Sequence, residues 1–310
     1  MMRKAIWVPG GRGQVGTELA RVCPPENVLV APTSHQVDIT DPKATTAALG
    51  RFAAAAREFG LPPVVVNAAA YTDADAAESD ERRAFRVNAL GAGHLAAACR
   101  EHGVPLIYLS TDYVFDGTAA EPYEASALAN PLNAYGRTKL AGERAVLNSG
   151  AEAWVVRTAW VYSTHSVNFV RTMARLERER DEVAVVDDQT GSPTSAADLA
   201  SGLLSLAGRV AEGAGPAERV LHYVNTGRAS WYELARTVFG LLGADPRRVR
   251  PCTSAEFGRP ARRPAYSVLS VRAWAASGLP APRPWQAALP EVTAALRAER
   301  AGEGRAVQRA

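Results

Sequence analysis

The sequence predicts an α/β protein: a doubly wound parallel sheet with a smaller, partly interleaved α/β lobe toward the C-terminus. Short β-branched runs alternate with alanine-rich stretches of helical period through the first half of the chain. Those runs are apolar along both alternating positions rather than on one face only, as expected of parallel strands buried on both faces. A glycine-rich turn joins the first run directly to the first helical stretch.

The elements follow in order. "KAIWV" is the first strand and "QVGTELARVC" the first helix, with "NVLVAP" the second strand and "ATTAALGRFAAAAREFG" the second helix. After the third strand, "PVVVNAA", the stretch "ERRAFRVNALGAGHLAAACREHG" reads as a helix leading into the strand "PLIYLS". "NAYGRTKLAGERAVLNS" is the helix before the strand "AWVVRTAWVY". Strands and helices alternating through short loops give the doubly wound arrangement. Beyond residue 163 the pattern loosens. A helix is expected near 166–180, then the strand "EVAVVDD", the loop "QTGSPTS" and a helix over 196–208. The strand "VLHYVNT" and the helix "SWYELARTVFGLLG" come next, and prolines cluster from Pro246 to Pro290. The expected division is 1–162 for the first domain, with segments near 183–188 and 219–242 contributing, 163–300 mainly for the second lobe, and 301–310 as a flexible tail.

Composition narrows the function. With 310 residues, 47% hydrophobic and 22% charged, the chain can bury a large core. A net charge of +3, without basic blocks interleaved with aromatics, argues against nucleic acid as a partner. No apolar run approaches the length of a signal segment or membrane span. The sparse cysteines, Cys23, Cys99 and Cys252, suit a reduced, cytoplasmic setting.

"WVPGGRGQVGTEL" sets Gly10, Gly13 and Gly16 at GxxGxxG spacing between strand and helix. Glycine permits the tight turn and lets backbone N–H groups at a helix N-terminus approach a pyrophosphate, as in a Rossmann domain. Such a turn can also be purely structural. An acid ending the second strand would bind ribose hydroxyls and repel a 2′-phosphate. Here Ala31, Pro32, Thr33 and Ser34 supply none, and Arg12 is available to a phosphate. NADPH is therefore favoured as cofactor, with NADH possible. Arg12 as a solvated loop residue, and Asp38 as a turn residue rather than an adenine contact, are the plainer readings.

Tyr135 and Lys139 stand four residues apart, so on a helix they share a face. A phenol is a weak acid at neutral pH, and a neighbouring ammonium would lower its pKa. Lysine suits that place because it is a compact charge, whereas arginine presents a broad planar fork. An ordinary amphipathic helix could hold the same pair. The strand "LIYLSTDYVFDG" adds a further element, ending in Ser110, Thr111 and Asp112 where ligands sit in an open α/β sheet. A hydroxyl there can hold a substrate oxygen against the tyrosine.

With these motifs the chain resembles the extended short-chain dehydrogenase/reductases, and within them the dTDP-4-dehydrorhamnose reductase family. The segments that carry the resemblance run from "GRGQVGTEL" and "VDITD" through "VVNAAAYTDADAAE", "STDYVFDG", "PLNAYGRTKLAGE" and "VVRTAWVYS" to "DQTGSPTSAADLA", "SWYELA" and "RPARRPAYSVLS". The resemblance implies that Gly13, Gln14 and Val15 contact the pyrophosphate, that Asp38 and Ile39 contact the adenine, and that Ala69, Ala70 and Tyr71 line the cofactor pocket. Tyr135 would protonate the keto oxygen with Lys139 as partner, Thr111 would tune that transfer, and Asp112 and Trp160 would contact the sugar. Asn168, Phe169 and Arg263 would serve the nucleotide diphosphate. Trp160 as a core aromatic and Arg263 as a surface charge are the alternatives. The implied substrate is a dTDP-4-keto-6-deoxy-sugar, first of all dTDP-4-dehydro-L-rhamnose, and the implied assembly is a monomer or homodimer. A reductase of antibiotic deoxysugars, a nucleotide-sugar epimerase and a non-catalytic regulatory subunit remain as rivals. Mg²⁺ is reported in some family members. Here Glu18 is present but the segment Ser195-Ala196-Ala197 has no acid before Asp198, and no metal is assigned.

Overall fold

Six parallel strands form the central sheet of the computed structural model, which describes residues 3–307 and the side chains of residues 3–299. They are β1 (Ala5–Trp7), β2 (Val28–Val30), β3 (Pro63–Asn67), β4 (Leu106–Thr111), β5 (Ala153–Thr158) and the strand Val220–His222. Across the sheet the order is Val220–His222, β5, β4, β3, β1, β2. Between them run α1 (Gln14–Val22), α2 (Pro42–Glu58), α3 (Ala74–Ser79), α4 (Glu81–Phe85), α5 (Ala92–His102) and α6 (Ala134–Leu147). Later come α7 (Phe169–Glu179), α8 (Ala196–Ala211) and α9 (Trp231–Leu241).

Both faces of the sheet are covered, which explains the unbroken apolar strands. Ile6, Val64, Val66, Ile107 and Val156 pack with Leu19 of α1 and Leu199 and Leu203 of α8. Their neighbours in sequence, Trp7, Val65, Leu106, Tyr108 and Val155, pack with Leu49 of α2, Leu95 of α5 and Val146 of α6. Full burial of each such aliphatic side chain is worth about 1.5–3 kcal/mol, which favours apolar residues on both faces of the strands. Local signals set the helix ends. Asp41 caps α2 by accepting from the amides of Lys43 and Ala44, with Pro42 in the first turn. Gly103 ends α5 at φ 57.

Several expected elements change. The stretch 81–102 is helical but contains a π turn, Arg86–Gly91, between α4 and α5. "AWVVRTAWVY" is not one strand: β5 ends at Thr158, Trp160 adopts φ 47, and Val161–Tyr162 pairs with Thr194–Ser195. Val220–His222 joins the main sheet beside β5. Val183–Val186, expected to contribute to the same sheet, instead pairs in parallel with Val249–Cys252 in the second lobe. That lobe has its own core, where Val170 and Met173 of α7 and Leu234, Val238 and Phe239 of α9 meet Trp285 and Leu289. Residues 301–307, predicted as tail, continue the C-terminal helix Trp285–Val307, and 308–310 lie outside the described residues. Among the described residues no helix is long and apolar enough to cross a membrane.

Candidate active site

A cleft of about 970 Å³ opens at the C-terminal ends of the strands, where the order reverses between β1 and β3. The glycine turn forms one wall. Gly10 sits at φ 82, and a Cβ there would lie 2.5 Å from the Ala69 amide nitrogen, so the turn can approach the β3 loop only without a side chain. A Cβ at Gly16 would meet Gly10 O at 2.6 Å; this glycine serves helix-to-turn packing and does not line the cleft. Gly13 precedes α1 without any side-chain cap, and its Cβ position meets only Gly10 O at 3.3 Å. The first-turn N–H groups of α1 therefore have no side-chain acceptor at the cap, as an anion-binding helix start requires. Arg12, Gln14 and Val15 line the same wall. These residues fit the phosphates of a dinucleotide.

Asp38 and Ile39 line the cleft beyond the turn, and Asp38 accepts from the Thr40 amide at 2.9 Å, as a turn residue does. Ala69, Ala70 and Tyr71 line it from β3. Their loop is fixed by Asn88 of the π turn, whose side chain accepts from the Tyr71 amide (2.8 Å), donates to Tyr71 O (3.0 Å) and donates to Thr138 of α6 (3.1 Å). The π turn thus ties the cofactor wall to the helix bearing Tyr135.

That helix begins where Asn133 accepts from the Gly136 amide at 2.8 Å. It lies unusually close to its neighbours. A Cβ at Gly136 would be 2.1 Å from Tyr113 O, and one at Gly142 2.1 Å from Asn88 O. Gly136→Ala is expected to cost about 1–3 kcal/mol in urea unfolding, because a backbone carbonyl must move. Gly93→Ala is the control, since its Cβ meets Ala145 Cβ at an ordinary 3.5 Å. Equal stabilities of the two variants would refute this packing role.

Tyr135, Lys139, Thr111 and Asp112 converge on the cleft. Thr111, beside the Tyr135 phenol in the cleft, donates to Asp112 Oδ1 at 3.1 Å and accepts from the Tyr113 amide at 3.2 Å. Desolvation holds the Tyr135 pKa well above the ordinary phenol value, with the Thr111 hydroxyl opposing. The downward shift expected from Lys139 is not what the site shows: burial dominates, and the charges acting on the phenol, Asp112 and Tyr113, raise it further. The Lys139 ammonium donates to Leu109 O at 2.6 Å above the Tyr108 ring, and burial lowers it to about 7 against the pull of Glu143. Asp112 is pushed up to about 6 by burial, although Ser267 donates to it at 2.6 Å.

The far wall is aromatic. Trp160 stacks on Trp231 with ring centroids 3.5 Å apart, Phe169 tilts against Trp231 at 4.5 Å, and all three line the cleft. Gly191 backs the Trp160 indole, where a Cβ would lie 2.4 Å from Cε2. A left-handed tryptophan costs on the order of 1–3 kcal/mol, so the surrounding packing must hold it there. Asn168 reaches the cleft, but its side chain caps α7 at the Arg171 amide and donates to Ser163 O and His165 O. Arg263 does not line the cleft; it pairs in bidentate fashion with Asp75 at 3.1 and 2.9 Å. Glu18 is engaged by Arg21 and His165, and among the described residues no His, Cys, Asp and Glu group is arranged to hold a metal. Sequence reasoning missed Trp231, Ser267, Gly191, His35 and Arg83. Trp231, Gly191 and Ser267 lie inside the quoted "SWYELA", "DQTGSPTSAADLA" and "RPARRPAYSVLS", but nothing local marked them within those segments.

A glycine turn at the crossover, a strand-end threonine and a Tyr–Lys helix over a parallel sheet define the fold and site of an extended short-chain dehydrogenase/reductase. More narrowly, the chain belongs to the family described as RmlD substrate binding domain, whose model matches residues 2–298. It is 49% identical over 294 residues to dTDP-4-dehydrorhamnose reductase of Mycobacterium tuberculosis H37Rv, covering 93% of this chain and 92% of that protein. It is 44% identical to dTDP-4-keto-6-deoxy-D-glucose reductase of Streptomyces niveus, covering 94% and 97%. Among solved structures, dTDP-4-dehydrorhamnose reductase of Bacillus anthracis in complex with NADP superposes with a TM-score of 0.85 at 32% identity, covering 94% of this chain and 99% of that one.

Proposed function

We propose that the protein reduces the C4 ketone of a dTDP-4-dehydro-6-deoxy-L-hexose with NADPH, with dTDP-4-dehydro-L-rhamnose as the first substrate to try. The observation that carries this reading is Thr111, Tyr135 and Lys139 facing one cleft that runs on into the glycine turn. The relatives' names supply the sugar class. When bound, NADPH supplies a hydride for the ketone carbon. Tyr135 gives its proton to the ketone oxygen, and its raised pKa keeps that proton in place through neutral pH. Thr111 holds the phenol in line. Lys139 brings positive charge to where the oxygen and the cofactor ribose meet. The α1 N-terminus receives the pyrophosphate, and Arg12, beside Thr33, Ser34 and His35 on the cleft wall, receives the 2′-phosphate. The free cysteines support a cytoplasmic setting. Light scattering distinguishes monomer from homodimer.

A coupled assay tests the reaction: the dTDP-4-keto-L-sugar is generated in situ, NADPH consumption is followed, and product stereochemistry is read. No consumption with any dTDP-4-keto sugar defeats the reading. The Streptomyces niveus relative motivates a second substrate, the D-gluco ketone, which the same assay ranks against the first. Arg12→Ala is expected to raise KM for NADPH about tenfold and leave that for NADH unchanged, the loss of roughly one charge-assisted phosphate contact. An equal change for both cofactors would remove Arg12 from the 2′-phosphate.

A further inference from the structure

α6 carries a third ionisable residue on the face that holds Tyr135 and Lys139: Glu143, one turn beyond the lysine. Arg157 of β5 grips its carboxylate, Nε donating to Oε1 at 2.9 Å and Nη2 to Oε2 at 2.7 Å. The two side chains are only 6% and 2% exposed, for Arg157 and Glu143 respectively. A buried ion pair is costly to desolvate, and apolar residues of similar volume are often as stable in its place. Neither residue lines the cleft. The pair borders two buried titratable groups: Lys139, one turn back on α6, and His222, which lies beside Arg157 in the sheet and whose pKa burial and Arg157 lower.

The ionisable groups around the Lys139 ammonium come from three elements. Tyr135 and Glu143 share its helix, Tyr108 and Asp112 come from β4 and the turn after it, and Arg157 comes from β5. Tyr108 is a neutral phenol, because burial, Glu143 and Tyr135 all raise its pKa. Burial disfavours the ammonium, and Glu143 is the charge that opposes it. Arg157 in turn packs over the Phe115 ring and donates to Ala125 O at 3.3 Å, so its own position is fixed from two further sides. Without that grip the carboxylate would be a buried charge with no counter-ion holding it in position.

We infer that the Glu143–Arg157 pair sets the charge of Lys139: Glu143 supplies the negative potential that favours the ammonium in a dry site, and Arg157 holds that carboxylate in place. Glu143 is thus a positioning residue acting through Lys139. The consequence for catalysis rests on the reductase reading; the electrostatic assignment does not.

The test exploits composition. The chain has three lysines, Lys4, Lys43 and Lys139, so full-length protein labelled with ¹³C-lysine gives a set of Cε signals that Lys4→Arg and Lys43→Arg assign. The Lys139 signal is titrated with neither cofactor nor sugar present. Glu143→Gln should move its midpoint down by about one to two pH units. That variant strands Arg157, so Glu143→Gln/Arg157→Met, which removes both members of the pair together, is the decisive form. Its midpoint should also fall below wild type, by about half a unit or more. A pair with only a structural role predicts the opposite, since loosening admits water and lets the lysine rise toward its ordinary value. A midpoint in the double variant at or above wild type overturns the inference. The alkaline limb of kcat/KM should move with the midpoint. A lowered midpoint in a protein without reductase activity would defeat the reductase reading and leave this assignment standing.

Discussion

Tyr135→Phe is expected to lower kcat/KM for ketone reduction by about a hundred- to ten-thousand-fold, the usual worth of a positioned general acid. The substitution removes one oxygen and little else. The Tyr135 ring meets Tyr113 edge-on with centroids 5.7 Å apart, and phenylalanine keeps that contact. Thr111 keeps its bonds to Asp112 and the Tyr113 amide. Stability and NADPH binding should therefore stay close to wild type, and the loss should fall on kcat. A thermal melt and a cofactor titration run beside the kinetics separate chemistry from folding. Activity within threefold of wild type would show that the proton comes from elsewhere. Because burial raises the phenol pKa, the donor stays protonated across the working range. The pH profile of the wild type should consequently show no loss of the tyrosine's proton below pH about 10.

The reason Tyr135 and its neighbours were legible in the sequence is that each motif is local. A glycine turn between strand and helix, a strand ending in Ser110-Thr111-Asp112 and a Tyr–Lys spacing of four are each fixed by fewer than about a dozen consecutive residues, and backbone periodicity then brings them to one end of the sheet. The doubly wound sheet was legible for the same reason, since burial on two faces leaves its mark along β1, β3, β4 and β5, whose apolar residues occupy both alternating sets of positions. What stayed hidden depends on partners distant in the chain. The left-handed Trp160 is set by Trp231 and Gly191, which no residue near position 160 announces. Val183–Val186 reads as a strand, but its pairing with Val249–Cys252 rather than the main sheet has no local signature. Arg263 was visible as a charge; that Asp75 takes it away from the cleft was not. Ser267, buried against Asp112, is an ordinary serine in a proline-rich stretch until the two lobes meet.

Lys139→Arg should be nearly as damaging as loss of the phenol, with kcat/KM down about a hundredfold or more, even though formal charge is kept. The ammonium occupies a buried site bounded by Leu109 O at 2.6 Å and the Tyr108 ring at 4.1 Å. A guanidinium is broader, planar and forked, and it spreads its charge over three nitrogens. It can be accommodated only by displacing β4 or by pushing into the cleft where the cofactor ribose belongs, so KM for NADPH should rise together with the fall in kcat. Overpacking of this kind costs about 1–3 kcal/mol of stability, measurable in the same melts. The wild-type pH profile adds an independent check. Lys139 has its folded pKa lowered to about 7, below its ordinary value near 10.4, so its positive charge is full well below pH 7 and is lost as pH rises through it. The alkaline limb of kcat/KM, which reports the free enzyme, should accordingly fall near 7 in wild type. In Lys139→Arg that limb should vanish from the residual activity, because arginine stays protonated throughout. A variant that kept both wild-type activity and the limb near 7 would remove Lys139 from the chemistry.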